Sequence, residues 1–143
     1  MIPRTMINDF LSRKNLALVR ASRKTPVRGV SISAELEARG YTIPVVYLDE
    51  DAPALKDLKA PVEGVIISVP ADLTEKAIRR VSDAKIPRVW IQRDSYSQPA
   101  VRLCKERGIE VVHGECVMMF AEPVKSFHAF HRWLWKVMGK LPV

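Results

Sequence analysis

Val65-Ile-Ile-Ser-Val-Pro-Ala-Asp72-Leu-Thr-Glu75-Lys-Ala-Ile-Arg-Arg-Val-Ser-Asp-Ala84 is the stretch on which the fold turns. Its opening run, Val65–Val69, is almost wholly apolar and does not alternate with polar residues. Strands buried on both faces read this way, as in a parallel sheet. Pro70 breaks the run. Asp72-Leu-Thr-Glu75 then has the spacing of a capping box, in which the Asp72 carboxylate accepts an early backbone N–H and Glu75 reaches back. Leu73, Ala77, Ile78 and Val81 follow at helical spacing, which predicts a helix to about Ala84 with those residues inward.

The same alternation extends outward along the chain. Leu16–Val19, Ile43–Leu48, Val89–Ile91 and Ile109–Val112 repeat the Val/Ile/Leu-rich strand pattern. Ser31–Arg39 carries Ile32, Leu36 and Arg39 at helical spacing and ends at Gly40, a natural C-terminal cap. Ser97 can cap another helix that holds Ala100, Val101 and Cys104 inward and stops at Gly108. Asp49–Pro61 is the least regular part and reads as a loop with one short helical turn. An N-terminal helix within residues 1–14, roughly Thr5–Lys14, and a C-terminal helix over residues 123–139 flank the rest. The pattern predicts a three-layer α/β fold, with about five strands in a mostly parallel sheet and helices on both faces.

At 143 residues the chain has the size of one domain, here residues 1–143. With 48% hydrophobic and 27% charged residues it is not a disordered chain. No run of 18 apolar residues predicts a membrane span, and the N-terminus lacks the apolar core of a signal peptide. The expectation is a soluble, cytoplasmic protein, with Cys104 and Cys116 as reduced thiols. The net charge of +7 favours anionic partners.

In an α/β sheet of this kind, ligands bind outside the carboxyl ends of the strands. The candidate site residues are therefore those that follow each strand: Arg20-Ala-Ser-Arg23, Asp49, Pro70, Gln92-Arg-Asp-Ser95 and Gly114-Glu-Cys116. The first of these loops is the usual seat of a phosphate. Ser22 brings a hydroxyl, and Arg20, Arg23, Lys24 and Arg28 bring charge. Arginine suits phosphate because its fork donates two parallel bonds. The loop lacks G-x-G-x-x-G spacing, so an exposed basic turn fits as well.

His113 and Cys116 stand three apart, but two cysteines and three histidines do not make a four-ligand zinc site without carboxylates. As a nucleophile, Cys116 has only His113 nearby as a base. Phe127, Phe130, Leu134 and Val137 form a helical stripe that reads as core-facing, with a partner-subunit interface over Phe127–Trp135 as the other reading. No recognised nucleic-acid motif is present. The absence of Ser-His-Asp, paired metal-binding carboxylates, a Walker loop and H-E-x-x-H favours a binding protein over an enzyme.

Taken together and in order, several short motifs resemble the CoA-binding-domain protein family: Leu16-Ala-Leu-Val-Arg-Ala-Ser22, Gly40-Tyr41, Val65-Ile-Ile-Ser-Val-Pro70, Arg88-Val-Trp-Ile-Gln92, Gly108-Ile-Glu-Val-Val112, Gly114-Glu-Cys116, Met118-Met-Phe120 and Glu122-Pro-Val124. The resemblance runs from about Asn15 to Gly139. It implies a small, single-domain, Rossmann-like protein that binds CoA or an acyl-CoA without established catalysis. It places the diphosphate on Arg20, Ala21 and Ser22. Tyr47, Leu48, Pro70 and Gln92 then line the cleft, and Gly114, Glu115 and Cys116 close its far side.

The chain departs from the family in two places. Arg20 stands where the family has glycine, which lets backbone approach a phosphate. Asp49-Glu50-Asp51 follows the second strand directly, where the family has an Asn-Pro turn and a longer loop. An acid at that point often bonds a free ribose hydroxyl. Two other readings therefore stay open: a binder of another nucleotide such as NAD(H), and an interaction protein with a vestigial cleft, assembled through the C-terminal aromatic helix.

Overall fold

Side chains of a strand alternate between the two faces of its sheet, so a run without polar positions has to be covered twice. A computed structural model, which describes residues 4–24, 32–50, 54–58 and 61–114, shows how this is done. Strands β1 (Leu16–Arg20), β2 (Val45–Tyr47), β3 (Gly64–Ser68), β4 (Arg88–Ile91) and β5 (Glu110–His113) form one sheet among the described residues. Its order is β2-β1-β3-β4-β5, and every pairing is parallel.

Alternate residues feed two separate cores. Ala17, Val19, Val65, Ile67, Val89, Ile91 and Val111 pack with helices α3 (Thr74–Asp83) and α4 (Gln98–Glu106) on one face. Leu16, Leu18, Ile66, Trp90 and Val112 pack on the other with α1 (Arg4–Ser12) and α2 (Ile32–Ala38). Trp90 is fully buried there and meets Phe10 of α1 edge-on, with ring centroids 5.5 Å apart. This is the three-layer, Rossmann-like α/β fold with helices on both faces, and its described sheet is wholly parallel. Between Asp49 and Pro61 the described residues hold a single 3-10 turn, Leu55–Asp57.

Helix α3 ends as the sequence predicts but begins differently. Asp72 and Glu75 do not form a capping box. Ala71–Leu73 is a 3-10 turn, Leu73 N–H bonds to Pro70 O at 2.8 Å, and α3 starts at Thr74 without a side-chain cap. The turn closes the entry with a backbone bond, which leaves Asp72 exposed. At α4 the predicted cap is made: Ser97 Oγ accepts the N–H of Ala100 at 3.3 Å. Gly40 and Gly108 have φ of +92° and +69°, the left-handed conformation that closes α2 and α4. β1 runs one residue past its apolar stretch, so Arg20 belongs to the strand rather than to the loop. The predicted C-terminal helix over 123–139, with its Phe127–Trp135 stripe, lies outside the described residues.

Candidate functional site

The strand order sets the place of the site. β1 pairs with β2 on one side and β3 on the other. The chain leaves β1 for α2 on one face and leaves β3 for α3 on the opposite face. The two loops diverge and leave a crevice at the carboxyl ends of β1 and β3, which is where α/β sheets take ligands. Arg20 is the ladder partner of both Tyr47 and Ser68, so residues 20–24, 47–50 and 68–72 meet around this crevice.

The loop after β1 is tied to the end of β2. Arg20 O accepts Leu48 N–H at 2.9 Å, and Ala21 O accepts Asp49 N–H at 3.2 Å. Ser22 Oγ accepts the N–H of Lys24 at 3.1 Å, a serine turn that shapes the loop locally. Arg23 is exposed, but its Nε–H donates to Glu50 Oε2 at 2.7 Å and its guanidinium lies 4.5 Å from the centre of the Tyr47 ring. The hydrogen bond and charge of Glu50 raise the already high pKa of Arg23. Glu50, with the charge of Asp49 nearby, therefore faces Arg23 of the basic first loop, a juxtaposition that the sequence pattern alone did not disclose.

The opposite wall is Val69–Asp72. Pro70 and Ala71 are exposed, whereas Val69 is buried. The hydroxyl of Ser95, itself buried, holds that wall: it accepts Val69 N–H at 2.9 Å and donates to Val69 O at 2.6 Å. Thr74 Oγ1 donates to Ser95 O at 2.6 Å. Ser95 lies in a loop marked out by its position after β4, but nothing in its neighbours signalled the contact. Gln92 is only 9% exposed, and its N–H continues the ladder to Ile67 O at 3.1 Å.

Beside the crevice a cavity of about 120 Å³ opens under the β2 edge. Val19, Val46, Leu48 and Leu55 form its apolar floor, and Tyr47, Glu50, Lys56, Arg80 and Asp83 surround it. Leu55 and Lys56 of the 3-10 turn Leu55–Asp57 are among the residues that line it. A cavity of about 150 Å³ takes a single benzene ring, so this one is on the scale of a ring.

At the far side, Gly114 is exposed with φ +81°. Glu115 and Cys116 lie outside the described residues. His113 stacks on exposed Tyr96, with centroids 5.3 Å apart and planes 13° apart. Burial, and then the charge of Lys105, lowers the pKa of His113. Cys104 is buried in α4, and burial pushes its thiol up to about 11, so it stays protonated and unreactive near neutral pH. Among the described residues no helix is long and apolar enough to cross a membrane.

The sequence pattern of one protein family, described as a CoA binding domain, matches residues 14–122, more than half of the chain. Among solved structures, a hypothetical protein from Pyrococcus horikoshii OT3 matches with TM-score 0.70 and 27% identity, over 82% of this chain and 88% of its own. A conserved hypothetical protein from Pyrococcus furiosus matches with TM-score 0.63 and 21% identity, over 73% of this chain and 97% of its own, a likeness of fold alone. No curated protein matches.

Proposed function

The chain belongs to the CoA binding domain family, and on that premise we propose that it is a non-catalytic CoA or acyl-CoA binding protein. The family match carries the reading, and the site supports it. The switch-point crevice is flanked by Ser22, Arg23 and Lys24, a donor set that suits an anion such as a diphosphate. Arg20, Ala21 and Ser22 hold the diphosphate on one wall, with Arg23 beside them. Tyr47 and Leu48 line the adenosine end beside the ring-sized cavity. Pro70, with Ala71 next to it, forms the opposite wall, and Gln92 and Gly114 extend the cleft towards the far strands. Glu115 and Cys116, which the family resemblance assigns to the far side, lie outside the described residues. The residues present thus fit CoA, and bound CoA supplies a thiol or thioester for a partner to use.

A specific observation favours one other reading. Glu50, half-buried at the end of β2, is the kind of group that bonds a free ribose hydroxyl in an NAD(H) site. Calorimetric titration of ligand-stripped protein with CoA, pantetheine and NAD⁺ at one fixed salt concentration separates the two. One-to-one binding of CoA, with pantetheine and NAD⁺ much weaker, is expected. NAD⁺ tighter than CoA favours the second reading. No heat and no shift in melting temperature with any of them means that the cleft takes no nucleotide.

A further inference from the structure

Arg23 has a geometry that a general phosphate-binding role does not explain. Its side chain is 63% exposed, and such a side chain ordinarily keeps its rotamer freedom. Here it is held on two sides: Nε–H donates to Glu50 at 2.7 Å, and the guanidinium carbon lies over the Tyr47 ring, 4.5 Å from its centre. What remains is the edge with the two terminal nitrogens. Among the described residues, nothing takes a hydrogen bond from that edge. It is the edge that meets a phosphate with two parallel bonds.

Its position narrows the phosphate further. The end of β2, beside the switch point, is where α/β nucleotide sites meet the adenosine ribose. A carboxylate there bonds a free hydroxyl, and an arginine takes a phosphorylated one. This chain has both groups, bonded to each other. Glu50 accepts the Nε–H of Arg23 with one carboxylate oxygen, Oε2, and so orients the arginine. Asp49, the neighbouring acid, is exposed, and its N–H is held by Ala21 O.

We propose that Arg23, oriented by Glu50 and Tyr47, reads a phosphomonoester on the ribose of the bound adenine nucleotide. The proposal rests on reading the crevice as a nucleotide site, and it adds which part of the nucleotide decides affinity. CoA carries such a group at the 3′ position and NADP⁺ at the 2′ position.

Dephospho-CoA lacks only the 3′ phosphate, so titration of both compounds at fixed ionic strength reads Arg23 directly. The wild-type chain is expected to bind CoA at least about tenfold more tightly, in keeping with charge-assisted hydrogen bonds. Arg23→Ala brings that ratio to within about twofold, and Arg23→Lys, which keeps the charge but loses the fork, falls between. Arg102→Ala, which removes an exposed charge on α4, leaves the ratio as it was and controls for net charge. A parallel pair, NADP⁺ against NAD⁺, distinguishes the sources: an Arg23-dependent preference confined to that pair supports the inference and moves the phosphate to the 2′ position. A ratio near one in the wild type for both pairs, or a preference that survives Arg23→Ala, overturns the inference while nucleotide binding stands. Binding of none of the four compounds overturns the reading of the site, and the inference with it.

Discussion

The hydroxyl of Ser95 bonds to both backbone polar atoms of Val69, accepting its N–H at 2.9 Å and donating to its carbonyl at 2.6 Å. The two residues are 26 positions apart and belong to the loops that follow β4 and β3. One wall of the crevice is thus held by a side chain from the neighbouring loop. Ser95→Ala leaves two buried backbone groups without these bonds, and about 2–3 kcal/mol of stability should be lost. Urea unfolding measures this, and CoA affinity should fall with it as the Val69–Pro70 wall loosens. An unchanged midpoint would show that water replaces the hydroxyl.

Gly64 opens β3 where there is no room for a methyl group. A Cβ there would lie 2.8 Å from the Phe10 ring, 3.1 Å from Arg88 Cγ and 3.2 Å from Leu16 Cδ2. Phe10 is buried against Trp90 and cannot swing away freely. Gly64→Ala should cost about 1–3 kcal/mol. In a Phe10→Leu background the same change should cost less, and a thermodynamic cycle from thermal melts reads that coupling.

Lys85 sits at φ +58° just after α3, where α2 and α4 have glycine. The backbone bonds are those of the same left-handed terminus, with Lys85 N–H on Ser82 O at 3.0 Å and Ile86 N–H on Val81 O at 3.2 Å. Lys85→Gly removes a steric cost of about 1–2 kcal/mol and adds some unfolded-state entropy. A net gain of up to about 1 kcal/mol is expected. Chemical denaturation tests it, and any loss of stability would mean that Lys85 contributes more through its side chain than its backbone conformation costs.

His113 makes stability depend on pH. Its folded pKa lies below the ordinary value of 6.5, first because it is partly buried and then because Lys105 is near. The unfolded chain therefore takes up the proton more readily than the folded one. Stability should be unaffected by this group well above pH 6.5 and should fall as the pH drops below it. His113→Gln should flatten the melting-temperature profile between about pH 7.5 and 5.5. Parallel profiles for the two proteins would refute the assignment.

Much of the fold is legible in local pattern. Five Val/Ile/Leu-rich runs without alternation demand cover on both faces, and both cores are there. Gly40, Gly108 and Ser97 mark helix ends by chemistry confined to a few residues, so they read correctly. Asp72-Leu-Thr-Glu75 misleads for the same reason. A capping box is one local solution to the free N–H groups of a helix start, and a 3-10 turn after Pro70 is another.

For the site, local pattern is enough to tell which loops stand at the carboxyl ends of the strands and that the first is basic. Both follow from neighbours along the chain. How those loops are joined follows from the three-dimensional packing of the strands. Arg23 meets Glu50 and Tyr47 because β1 and β2 are paired in parallel across a helical crossover, and Ser95 meets Val69 because β3 and β4 are. Each contact spans more than twenty residues, and its partner is set by strand register and loop path. Hydrophobic periodicity specifies which face of an element is buried, but it carries no term for which polar side chain from another loop will arrive there.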